Sequence, residues 1–137
     1  MVGASGTLSP GNSIGTLTIN NTLDLLGETV MEINKSGAVY TNDLVQGVST
    51  LTYGGKLTVL ASGDPLAAGD VWDLFDATTF VNTFSTFDLP ALTGGLTWNT
   101  SNLSSTGQIQ IIPEPGTLAL LATGLIGLLA YAWRKRK

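Results

Sequence analysis

Between Gly3 and Gln110 the apolar residues alternate with Thr, Ser and Asn in short runs, and no window before Pro113 sustains a spacing of three to four. A period of two is the signature of strands with one buried face, whereas a helix would need its apolar stripe to recur near 3.6. Over Gly15–Asn20 it puts Leu17 and Ile19 on one face and Thr16 and Thr18 on the other. Leu23, Leu25 and Val30 continue the apolar face, with Ile33 one step out of phase. Leu17, Ile19, Leu23, Leu25, Val30, Leu57, Val59 and Trp98 are therefore the expected core, and Thr16, Thr18 and Thr58 the expected outer surface.

Turn residues divide the runs. Val48–Tyr53 and Lys56–Leu60 are separated only by Gly54-Gly55, which predicts a hairpin. Further strands are expected at Val71–Phe75, Thr79–Phe84, Leu96–Asn99 and Gln108–Ile112, each bounded by Gly, Asp, Pro or Asn. Their starts do not fall on one fixed period, so the pattern leaves open a stack of repeated coils or a small β-sandwich.

The last 25 or so residues differ in kind. Thr117–Trp133 is an uncharged apolar run of 17 residues, about 26 Å long as a helix, at the short end of what spans a bilayer. Tyr131 and Trp133 sit where an aromatic belt would meet headgroups, and Arg134, Lys135, Arg136 and Lys137 behind them would stay cytoplasmic. Pro113 and Pro115 bias the residues before them away from helix, so Pro113-Glu114-Pro115 is expected to be extended and reachable. The competing view of this segment is the helix-entry linker of an ordinary tail-anchored protein.

Charge and composition exclude several functions. Four of the six basic residues are that terminal cluster, leaving two Lys against ten acidic residues in the rest of the chain, so no basic face for nucleic acid is expected. With no Cys and no His, disulfides, the usual zinc ligands and the commonest general base are absent, and no cofactor or metal is expected.

Two resemblances sharpen this. The run Gly6–Leu17, followed by Ala68–Asp70, Phe87–Leu92 and Gly95–Thr100, resembles the phrases that close the repeats of autotransporter-associated β-strand proteins. That likeness implies the closing part of a right-handed parallel β-helix stalk. Pro113-Glu114-Pro115, the apolar run and the basic tail, in that order, resemble the PEP-CTERM sorting signal, which implies recognition and cutting by a membrane-embedded exosortase. The expected organisation is a β-rich extracytoplasmic domain over residues 1–112, β-helix-like or a small sandwich, and a sorting signal over 113–137 with one transmembrane helix at 117–133. No signal peptide is legible at Met1–Gly6, and the closing phrase starts almost at residue 1, so the expectation is the C-terminal part of a longer chain.

The remaining candidates are weighed on geometry. Asp70, Asp73 and Asp76 would face opposite ways on a strand, a poor calcium cage. Glu28 and Glu32 would lie about 13 Å apart, too far for a glycosidase pair. Trp72 and Trp98 are the candidate ligand-contact aromatics for a polysaccharide, with Phe75, Phe80, Phe84 and Phe87 beside them, although alternate aromatics on strands are more often core. No catalytic set emerges. The expectation is a non-enzymatic surface or matrix protein, passing through the inner membrane with its domain outside and then reaching the surface, with exopolysaccharide binding as the other candidate. Unpaired strand edges at the N-terminal end predict self-association.

Overall fold

The computed structural model describes residues 1–114. Within them the chain forms β1 (Thr7–Leu8), β2 (Thr16–Thr18), β3 (Leu23–Leu25), β4 (Glu28–Ser36), β5 (Val39–Asn42), β6 (Leu44–Tyr53), β7 (Lys56–Gly63), β8 (Val71–Asp73), β9 (Phe75–Val81), β10 (Thr86–Asp88), β11 (Leu96–Asn99) and β12 (Gln108–Pro113). A single 3-10 turn, Ser101–Ser104, precedes β12. The protein is mainly β, as the alternation requires. The expected transmembrane helix and basic tail, with Pro115, lie outside the described residues.

Pairing is mostly parallel and between distant strands. One sheet runs β1-β4-β7-β10, with β5 folded back antiparallel on β4. In a second, β2 and β3 lie along β6, which also pairs with β9. The chain alternates between these two sheets, and from β2 onward it returns at nearly constant intervals. Glu28 faces Lys56, Thr16 faces Leu44 and Leu23 faces Leu51, and the separation along the chain is the same in all three pairs. On the next return Lys56 faces Thr86 and Val45 faces Phe75 at a slightly longer separation, which shortens by one residue past a register shift between Val45 and Val48. A third sheet, β11-β12-β8, is antiparallel.

This pairing corrects the hairpin expected at Gly54-Gly55. β6 and β7 belong to different sheets, and the two glycines form the corner between them. A Cβ on Gly55 would sit inside the carbonyl oxygen of Gly27, and one on Gly27 inside that of Gly6, so the corner of each circuit rests directly on the one before. Lys56 N–H donates to Gly27 O at 3.0 Å, Glu28 N–H to Gly6 O at 3.0 Å and Ser85 N–H to Gly55 O at 2.8 Å, and these bonds stitch the corners together. Because the circuit lengthens from one return to the next, no single period shows in the sequence.

Inward residues of all three sheets make one core, with Leu25, Met31, Ile33, Val45, Leu51, Tyr53, Leu57, Phe75, Ile109 and Ile111 all essentially inaccessible. Leu23, Leu25, Leu57 and Val59 are buried as expected, Leu17 and Ile19 are half-buried, and Thr16 and Thr18 are exposed. Besides Leu17 and Ile19, which fall short of the core expected of them, three more residues depart from expectation. Val30 points outward and is half-buried, because Thr29, Met31 and Ile33 take the inner face of β4. Thr58 is covered, since its hydroxyl donates to Glu28 Oε1 at 2.6 Å. Trp98 is half-buried against the core, its indole N–H donating to Pro90 O at 2.9 Å.

Candidate functional site

β12 leads straight into the Pro-Glu-Pro segment, and its own sequence explains why it is held so firmly. Ile109 and Ile111 alternate with Gln108 and Gln110, so one face enters the core at 0% exposure and the other stays half-exposed. Both edges are occupied. On one side Gln108, Ile109 and Gln110 face Asp73, Trp72 and Val71 of β8, extended by Ile111 N–H to Asp70 O at 2.9 Å and Gly69 N–H to Ile111 O at 2.8 Å. On the other, Gln110, Ile111, Ile112 and Pro113 face Asn99, Trp98, Thr97 and Leu96 of β11.

Pro113 is thus the last residue of the strand. Ile111 donates toward β8, so Pro113, two residues on, turns its backbone nitrogen to that same side, beyond the end of the β8 pairing. A missing amide there removes no rung, which lets proline stand in the sheet. Glu114 N–H turns the other way and donates to Gly95 O at 2.8 Å. Gly94 and Gly95, with φ of 73° and 71°, bend the chain into β11 and aim that carbonyl, a conformation open mainly to glycine. Pro113 ends the strand and Glu114 follows it, both of them exposed.

The partner edge on the β8 side is fastened by a buried charge cluster that the sequence did not reveal. Asp70, only 3% exposed, accepts from Lys35 Nζ at 3.0 Å, from Tyr40 OH at 2.8 Å and from Ala67 N–H at 2.8 Å. Burial alone would raise its pKa, but the Ala67, Lys35 and Tyr40 bonds outweigh that and hold the carboxyl below its ordinary range. The same bond to Asp70 pushes the Tyr40 phenol up. Lys35 also donates to Pro65 O at 3.2 Å, so β4, β5 and the segment leading to β8 meet on one carboxylate. Asp70 is therefore fully engaged as a structural acceptor, and among the described residues no group of three His, Cys, Asp or Glu side chains could hold a metal.

The candidate aromatics fare differently from their expectation. Trp72 is 1% exposed, with its indole N–H on Asn34 O at 3.3 Å and its ring between Tyr40 and Trp98, so no ligand can stack on it. Its position on β8, whose inner face fills the core, is the reason. Trp98 is turned toward Pro90 and Trp72. Phe75, Phe80 and Phe84 gather round Tyr53, whose hydroxyl donates to Leu103 O at 2.9 Å. Phe87 is the exposed ring of the set, at 41%, beside a recess of about 210 Å³ lined by Thr83, Phe84, Thr100, Ser101, Leu103 and Ser104.

A match with a known protein family falls at the end of β12 and on the residues after it. Residues 112–137 match the PEP-CTERM protein-sorting motif, which begins one residue before Pro113. No curated protein and no solved structure matches the chain.

Proposed function

We propose that the chain is an exported surface protein cut near Pro113-Glu114-Pro115 by an exosortase-type enzyme, and that its β domain is the closing part of a β-helical stalk with a structural rather than enzymatic role. The match over residues 112–137 carries the first half of this reading. Pro113 and Glu114 are exposed at the margin of a folded domain, which supports their being reached by a processing enzyme. Thr117–Trp133 would hold the chain in the inner membrane, with Arg134–Lys137 on the cytoplasmic side, until the cut frees the domain for the surface or matrix.

The stalk reading rests on the parallel pairing of strands one circuit apart and on the stacked glycine corners, which is how coils laid on one another would pair. A structural role is supported by Asp43 and Asp70, buried carboxylates that are both spent on internal hydrogen bonds. Expression of the full chain behind a working signal peptide, in a host that has the enzyme, tests the processing. The surface form is expected to lack Thr117–Trp133 by mass spectrometry, and a surface form that keeps it would make the segment a permanent anchor.

A second reading, an adhesive module for exopolysaccharide, is favoured by one observation. The exposed Phe87 ring stands over a recess with the hydroxyls of Thr83, Thr100, Ser101 and Ser104, an apolar platform with polar groups at its rim. Polysaccharide retention that disappears in Phe87→Ala while the fold persists would establish it.

A further inference from the structure

We infer that β11 is a gate on the sorting motif: the backbone the enzyme must engage is already a rung of the β11–β12 ladder, and cutting waits on release of that rung. The inference rests on the processing reading above. Enzymes that cut or carry peptides take them as extended strands, by hydrogen-bonding to backbone N–H and C=O groups, and a strand already paired on the required edge is closed to them. Leu96 faces Pro113, and Gly95 O accepts the Glu114 amide at 2.8 Å, so the β11 edge of the motif is taken. Among the described residues the β8 edge carries no pairing past Ile111, and Pro113 offers no amide there. The edge that carries a donor is therefore the edge β11 covers.

The gate is built to open by itself without unfolding the domain. β11 is four residues long, every one of them only half-buried, and β12 is the one strand it pairs with among the described residues. β12 stays held by β8 and by Ile109 and Ile111 in the core when β11 leaves. Short, half-buried strands on one edge are the low-stability end of a fold's local openings. Trp98, tied to Pro90 O and packed on Trp72, is the residue that keeps β11 seated.

A cross-link that can be made and broken tests this. The chain has no native cysteine, and Thr97 and Ile112 face each other across the ladder, so Thr97→Cys with Ile112→Cys can form one disulfide between β11 and β12. The full chain is incubated with membranes from a host that has the enzyme, and the cut product is followed over time. The oxidised double variant is expected to be cut at least tenfold more slowly than the same protein after reduction, with the reduced form close to the unsubstituted chain. Thr97→Pro, which removes the amide that Thr97 offers Ile112, is expected to be cut several-fold faster. Equal rates for oxidised and reduced forms, or no gain in Thr97→Pro, overturn the gate while leaving processing intact. No cutting of the unsubstituted chain overturns the processing reading and the gate with it. If the double variant is uncut in both redox states while the unsubstituted chain is cut, the Thr97→Pro rate decides.

Discussion

Thr29 is the one buried side-chain polar atom without a hydrogen-bond partner among the described residues, its hydroxyl sitting at 0% exposure on the inner face of β4. Thr29→Val keeps the shape and removes the orphan, so it is expected to stabilise the fold by about 1 kcal/mol, read from the denaturation midpoint of the purified chain. Asp43 is the opposite case. Fully buried, it accepts from Gly15 N–H at 2.7 Å and Glu32 N–H at 2.8 Å, joining a loop to β4. Asp43→Ala strands both donors and is expected to cost about 2 kcal/mol or more by the same measurement. Asp70 gives the pH response. Its folded pKa lies below the unfolded one, so its contribution is complete above about pH 4 and fades as pH falls through the folded value. Asp70→Asn is expected to be less stable at neutral pH and to flatten the acid limb of a stability-versus-pH curve. The roles of Asp43 and Asp70 were not legible beforehand, because they depend on partners elsewhere along the chain: Lys35 and Tyr40 lie 35 and 30 residues from Asp70.

Elements were legible wherever a local rule decides them. Leu96–Asn99 is β11 as expected, and Gln108–Ile112 falls within β12, because alternation and flanking turn residues are properties of a few neighbours. Val71–Phe75, expected as one strand, divides at Leu74 into β8 and the start of β9, which serve different sheets. Gly54-Gly55 misled for a related reason. A hairpin and a corner between sheets both ask for glycine between two strands, and only the position of the preceding circuit separates them. Gly55→Ala would drive a methyl group into Gly27 O, a backbone atom that cannot move aside, and is expected to cost about 2 kcal/mol or more. Gly3→Ala has nothing within 4 Å and is expected to change stability by less than about 0.5 kcal/mol. Equal effects in thermal melts of the two variants would mean that the corners do not stack.

At the scale of the molecule, the sorting segment was readable because its parts follow one another in order, whereas the arrangement of the domain was not, because it is written in pairings a whole circuit apart, Glu28 with Lys56 and Lys56 with Thr86. Glu114 is exposed outside the core, and in a host with the processing enzyme Glu114→Ala is expected to accumulate uncut in the inner membrane. Normal release of that variant would separate the motif's acidic residue from recognition. The long intervals also set a timetable. A strand that can pair only with one a full circuit behind it must wait for that circuit to be made, and topologies of this kind close slowly, over milliseconds to seconds. As the chain threads out from its N-terminus, β12 arrives last of the described strands, and its partner on β8, Trp72 opposite Ile109, has been waiting since before β9, β10 and β11 emerged. The domain is completed by the same stretch of polypeptide that delivers the sorting segment, so the clock that ends folding is the clock that presents the chain for release.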